Sequence, residues 1–176
     1  MNIIVDGYNL IRQSIPLRSA EKISLEAGRR ALLVALDAYQ QQKRHQITVV
    51  FDGWEGGTPQ EERDVFKDIN IIYSKLGEKA DEVIKRIVAQ GSDNFTVISS
   101  DRDIANYVIR RGYSAISSLD FEHRLYSLSE YDSCFDDDVD ESEDTTLARQ
   151  INTKKKGTAH KLSRAKRKER QALESL

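Results

Sequence analysis

Apolar residues in this chain fall into short β-branched runs separated by longer stretches of helical period. Asn2–Val5 is such a run, and it stops at Asp6-Gly7, which predicts a buried strand meeting a loop. Ile47–Phe51 (ITVVF), stopped by Asp52-Gly53, predicts a second strand, and Ile69–Tyr73, Phe95–Ile98 and Tyr113–Ile116 predict three more. Leu25–Gln41 places Leu25, Leu32, Leu36 and Tyr39 on one stripe, as an amphipathic helix does. Ala80–Ala89 is a further expected helix, with Val83, Ile84, Ile87 and Val88 apolar and Gly91 near its end. Ser99-Ser100-Asp101 starts another, which runs to about Arg110 with Gly112 as terminator. Trp54–Arg63, with Gly56, Gly57 and Pro59, is expected to be a loop. The resulting alternation favours an α/β domain with a mainly parallel central sheet and helices on both faces.

The pattern changes after Leu119. Phe121–Tyr131 reads as one more helix or as irregular packing, and the domain boundary is expected near Tyr131. The segment 132–150 contains the strongly acidic Asp136–Asp144 stretch, whose composition predicts a disordered linker. The remainder, 151–176, is a basic tail with a helix expected near Ala159–Leu173, where Ala159, Leu162 and Ala165 are spaced by three. The 176-residue chain has a net charge of only −2, yet the tail holds nine Lys/Arg against two acids, a surplus of seven positive charges. A basic arm on an acidic body suits a polyanionic partner, and a merely solvated tail has the same composition.

Cys134 is the sole cysteine, so no intramolecular disulfide forms, and His45, His123 and His160 are scattered. A zinc site and a histidine-based triad are therefore not expected. Met1–Ile11 lacks a basic leader, Asp6 interrupts it, and no apolar run approaches the length of a membrane span. No membrane partner is expected, and a cytoplasmic location is the simplest address.

Asp6, Asp52, Asp81 and Asp101, with Asp103 close behind, all sit where predicted strands end or the following helices begin. In an open parallel sheet those ends face one crevice, the usual ligand side. Each aspartate has a local explanation. Asp52-Gly53 is a turn pair, Asp101 a good N-cap, and Asp81 and Asp103 suit the positive ends of helix dipoles. Together they would repel one another and raise each other's pKa, which points to a hard divalent cation among them.

The motifs Asp6-Gly7-Tyr8-Asn9, Val50-Phe51-Asp52-Gly53, Lys79-Ala80-Asp81-Glu82 and Ser99-Ser100-Asp101-Arg102-Asp103 occur in the order and spacing of the NYN domains. The chain resembles these relatives of PIN-domain nucleases, in the bacterial YacP-like branch, over about Met1–Leu119. The resemblance implies a three-layer α/β/α PIN-like fold plus a charged C-terminal extension, and a metal-dependent endoribonuclease. It implies Asp6 and Asp101 as central ligands of Mg²⁺ or Mn²⁺, Asp81 completing the site directly or through water, and Asp103 as a further acid. Asn9 would hydrogen-bond a ligand carboxylate or a substrate phosphate. Asp52 would bind metal or orient the first loop, and Glu82 would face solvent.

Such a site activates a water for in-line attack on a phosphodiester, with a second ion able to stabilise the leaving oxygen. Ser99 and Ser100 are candidate phosphate donors, Arg12 and Arg18 candidate phosphate contacts, and Trp54 a candidate stacking platform. Tyr8 is expected to pack on the sheet. In the tail, Lys154, Lys155, Lys156, Arg164, Lys166, Arg167 and Lys168 are candidate contacts to structured RNA or to a ribonucleoprotein such as the ribosome. The alternative is a non-catalytic RNA-binding or ribosome-associated module on the same fold. A haloacid-dehalogenase-type phosphohydrolase is disfavoured because Tyr8 stands where it needs an acid, and neither a P-loop nor a dinucleotide glycine fingerprint is present.

Overall fold

The computed structural model describes residues 1–53, 59–91, 95–131 and 164–175. Trp54, Cys134, the acidic stretch 136–144, Lys154, Lys155, Lys156, His160 and Lys161 lie outside them, as do the side chains of Arg164 and Ala165.

The elements run β1 (Asn2–Asp6), α1 (Gly7–Gln13), α2 (Ile15–Glu21), α3 (Leu25–Lys43), β2 (Gln46–Phe51), β3 (Glu62–Phe66), β4 (Ile69–Tyr73), α4 (Ala80–Gln90), β5 (Phe95–Ile98), α5 (Arg102–Arg110), β6 (Ser114–Ile116), α6 (Ser118–Tyr131) and α7 (Arg164–Ser175). They build one six-stranded sheet in the order β3-β4-β2-β1-β5-β6. All neighbours are parallel except β3, which pairs antiparallel with β4 at the edge.

Strand alternation sorts the core into two faces. Ile3, Val5, Ile47, Val49, Phe51, Ile69 and Ile71 pack against α1, α2, α3 and α6 through Leu10, Leu17, Leu36 and Phe121. Ile4, Val50, Ile72 and Val97 face the opposite way, against Val83, Ile84 and Val88 of α4 and Ile104 and Val108 of α5. This is the expected three-layer α/β/α arrangement with a mostly parallel sheet. No helix among the described residues is long and apolar enough to cross a membrane.

Four details differ from the sequence reading or complete it. The first loop folds into two helices, α1 and α2, which the sequence reading left unassigned. The expected loop through Arg63 instead yields to β3, whose residues are mostly exposed; an edge strand needs no apolar alternation, so the hydrophobic pattern was silent there. Phe121–Tyr131 is helical, within α6. The tail helix begins at Arg164 and rests on β6, with Ala172 buried and Leu173 packed against the core, so its described part is docked rather than free.

Two glycines follow the strand-end aspartates because the chain passes too close to a neighbour for a side chain. A Cβ on Gly7 would stand 2.3 Å from the Phe51 ring, and one on Gly53 would stand 1.8 Å from the Ser74 carbonyl oxygen. The Gly53 N–H also donates to Ser74 Oγ at 2.9 Å, tying the ends of β2 and β4 together. Gly53→Ala is expected to lower stability by about 1–3 kcal/mol in urea unfolding, through forced separation of that contact. An unchanged midpoint would contradict the close approach.

Candidate active site

The chain leaves β1 toward β2 on one side, while β5 lies on the other, so the crevice between the carboxyl ends of β1 and β5 is the topological switch point. Asp6 ends β1 there and is only 7% exposed. Its Oδ1 accepts the Asn9 N–H at 3.2 Å, which caps α1, and its Oδ2 accepts the Ser99 hydroxyl at 3.0 Å. Ser99 Oγ in turn accepts the Asp101 N–H at 3.1 Å. One buried hydroxyl thus joins the carboxylate of Asp6 to the backbone of Asp101, 95 positions away in the chain.

Asp101 Oδ1 caps α5 by accepting the Asp103 N–H at 2.6 Å and the Ile104 N–H at 3.4 Å. Asp52, at the end of β2, accepts the Ala80 N–H through Oδ1. It thereby caps α4 from another segment, where Lys79 at the N-cap position supplies no side-chain bond. That contact fixes where Asp81, in the first turn of α4, enters the crevice. The N-cap weighed from sequence holds for Asp101; Asp52, read there as a turn residue, caps a helix 28 positions away, and Asp6 adds a third cap.

The same carboxylates also act on one another. Burial is the main cause that pushes the Asp6 pKa up to about 6; the Asn9 and Ser99 hydrogen bonds oppose it, and the charges of Asp81 and Asp52 add to it. Asp81 is likewise raised, by desolvation first and by Asp101 next, with Asp52 adding and Lys85 and Lys79 opposing. Asp103 stands apart on the exposed side of α5. Its Oδ2 accepts a hydrogen bond from Lys85 Nζ at 2.6 Å, which holds its carboxyl below the usual range.

Several of the expected ligand-binding residues also hold the protein together. The Asn9 side-chain oxygen accepts the Ser100 N–H at 2.9 Å and the Ser118 hydroxyl at 2.7 Å, so it clamps α1, the β5–α5 turn and α6, while a carboxylate or phosphate would be met by its amide N–H donors. Ser100 Oγ accepts the Ser118 N–H at 3.1 Å, and the Ser99 proton goes to Asp6. Ser118, fully buried and absent from the sequence reading, completes this floor; its only signal was a serine pair opening a helix. Glu82 is exposed, as expected. Tyr8 is buried edge-on to Phe51, with the Arg12 guanidinium 5.6 Å from its ring centre, close to the crevice. Arg12 also pairs loosely with Glu21, and Arg18 is exposed on α2.

The basic tail helix lies elsewhere. Lys168 Nζ donates to the Gly112 carbonyl ahead of β6, and Ser175 reaches Met1 ahead of β1, both at the sheet edge opposite the aspartates. Lys166 and Arg167 are exposed on the same helix.

A mainly parallel sheet with acidic residues at its switch point defines a nuclease-like fold of the NYN class. Residues 3–175 match the family model of the YacP-like NYN domain, and the chain belongs to that family. Its structure is similar to the crystal structure of Rae1 (YacP) from Bacillus subtilis, with a TM-score of 0.62 and 22% identity over 76% of this chain and 78% of that one. A tryptophan-to-leucine variant of the same Bacillus protein gives a TM-score of 0.63 and 22% identity over 74% of this chain and 77% of that one. At that identity the likeness is one of fold. No curated protein matches the sequence.

Among the described residues, no three His, Cys, Asp or Glu side chains are gathered closely enough to enclose a metal ion alone. The donor chemistry nevertheless fits a hard divalent cation. The groups are all carboxylate oxygens, they repel one another, and Mg²⁺ is commonly held by one or two carboxylates while keeping several waters. A single cap also leaves most of a carboxylate's acceptor capacity open.

Because Asp6 has a higher pKa folded than unfolded, the folded state binds more protons between the ordinary value of 3.8 and about 6. Stability therefore falls as pH rises through that window, and the penalty is complete above it. Asp6→Asn is expected to stabilise the metal-free protein by about 1–3 kcal/mol at pH 7, with the gain vanishing near pH 4. Thermal unfolding at a series of pH values checks this; a variant less stable than the parent at pH 7 would mean that capping outweighs repulsion.

Proposed function

We propose that this protein is a Mg²⁺- or Mn²⁺-dependent cytoplasmic endoribonuclease. The observation that carries the reading is the Ser99 hydroxyl that ties the Asp6 carboxylate to the Asp101 backbone at the switch point, with Asp81 close enough to push Asp6 up and to be pushed up by Asp101. Carboxylates that served only as caps would have no reason to be assembled against their own repulsion.

In this reading Asp6 and Asp101 would hold the ion with its waters, Asp81 would complete the site directly or through one of those waters, and Asp52 sets the position of Asp81 by capping α4. A bound divalent ion supplies an acidified water as nucleophile and neutralises charge on the phosphodiester. Ser99 keeps Asp6 and Asp101 in register, and Asn9 with Ser118 fixes the floor beneath them. Arg12, exposed at the rim beside Tyr8, contacts a backbone phosphate. The basic face of α7, on the opposite edge, engages a more distant part of a structured RNA or a ribonucleoprotein such as the ribosome.

The non-catalytic RNA-binding reading draws on the caps made by Asp6, Asp52 and Asp101, which give each a use without metal. Cleavage separates the two. Purified protein with labelled RNA and Mn²⁺ is expected to yield 5′-phosphate and 3′-hydroxyl ends, and Asp6→Asn or Asp101→Asn is expected to reduce the rate at least about a hundredfold while RNA binding persists. Products bearing 2′,3′-cyclic phosphate would reject water as the nucleophile. Binding without cleavage in any divalent metal would favour the non-catalytic module.

A further inference from the structure

Among the described residues, Lys85 is placed beside the acidic residues by a specific contact rather than by diffuse surface charge. It lies one helical turn after Asp81 on α4, so the two side chains share a face. Its ammonium bonds Asp103 at 2.6 Å, across to α5 and two residues beyond Asp101. The Lys85 side chain is only 26% exposed, whereas that of Asp103 is 80% exposed. The hydrogen bond to Asp103 and the charges of Asp103, Asp81 and Asp101 all favour the protonated amine.

An acidic crevice repels the RNA backbone, so a nuclease built on it needs a cation aimed at the scissile region. An ammonium carries three N–H donors, and Asp103 takes one. An exposed ion pair of this kind contributes little to stability, so exchanging its partner is easy. Resting on the ribonuclease reading above, we propose that Lys85 is the phosphate-binding cation of this site, and that Asp103 is its holder rather than a metal ligand. In the metal-free protein Lys85 partly neutralises Asp81 and Asp101. When RNA binds, it turns from Asp103 to a phosphate oxygen beside the metal position.

This assignment has a signature that a purely structural strap between α4 and α5 lacks. Removing the ammonium takes a repelling charge away from a divalent ion but also removes a phosphate contact, so the two affinities move in opposite directions. The test uses the full chain and its Lys85→Met, Lys85→Arg and Asp103→Asn variants. Mn²⁺ affinity is measured by calorimetry without RNA. Affinity for a fluorescent single-stranded oligouridylate is measured in Ca²⁺ over a range of KCl concentrations, with the oligonucleotide checked intact on a gel.

Lys85→Met is expected to bind Mn²⁺ roughly three- to tenfold more tightly. It is also expected to bind RNA more weakly, with the slope of log affinity against log salt shallower by about 0.7. Lys85→Arg and Asp103→Asn are expected to keep the parental slope. A folded Lys85→Met protein with an unchanged slope, or one that loses Mn²⁺ and RNA affinity together, overturns the assignment while leaving the ribonuclease reading intact. An unaltered protein that binds no Mn²⁺ overturns the ribonuclease reading itself.

Discussion

Everything at this site depends on a carboxylate buried at the end of the central strand. β1 has parallel neighbours on both sides, so its last residue emerges in the middle of the sheet edge with helices above and below. Asp6 is thereby denied water, and two hydrogen bonds do not fully compensate it. A buried carboxyl with other carboxylates nearby is stable only if it is protonated or if a cation joins it. The proposed metal-dependent chemistry rests on that constraint more than on any single motif.

The surrounding structure reads as a way of tolerating this arrangement. Ser99 donates to the Asp6 carboxylate and accepts the Asp101 backbone N–H, and Asn9, Ser100 and Ser118 weave the loops beneath into a closed hydrogen-bonded floor. Asp52 caps a helix it does not belong to, linking β2 to α4. Gly53 allows β2 and β4 to approach so closely that any side chain would strike the Ser74 carbonyl. Apolar packing on both sheet faces supplies the rigidity that keeps these polar contacts aligned.

Much of this was legible in the amino-acid order. The β-branched runs marked five of the six strands, because a strand buried on both faces must be apolar throughout. The Asp-Gly and Ser-Ser-Asp signals marked the strand ends that border the candidate site. What escaped was set by tertiary contact. β3 is polar because it lies at an edge, and the capping of α4 by Asp52 crosses 28 positions of sequence. The Asn9 oxygen binds Ser100 and Ser118, partners no local pattern announces. The tail's charge was evident, yet Ala172 and Leu173, which dock it, are too few to stand out as an amphipathic stripe.

The most direct test of the account is proton release on metal binding. If a divalent ion takes up Asp6, it must displace the proton that burial places there. Calorimetric titration with Mn²⁺ in buffers of different ionisation enthalpy should show about half a proton released per ion at pH 6, declining toward zero by pH 8. Binding with no proton release at pH 6, or no binding at all, would contradict the claim that these carboxylates are assembled for a metal ion.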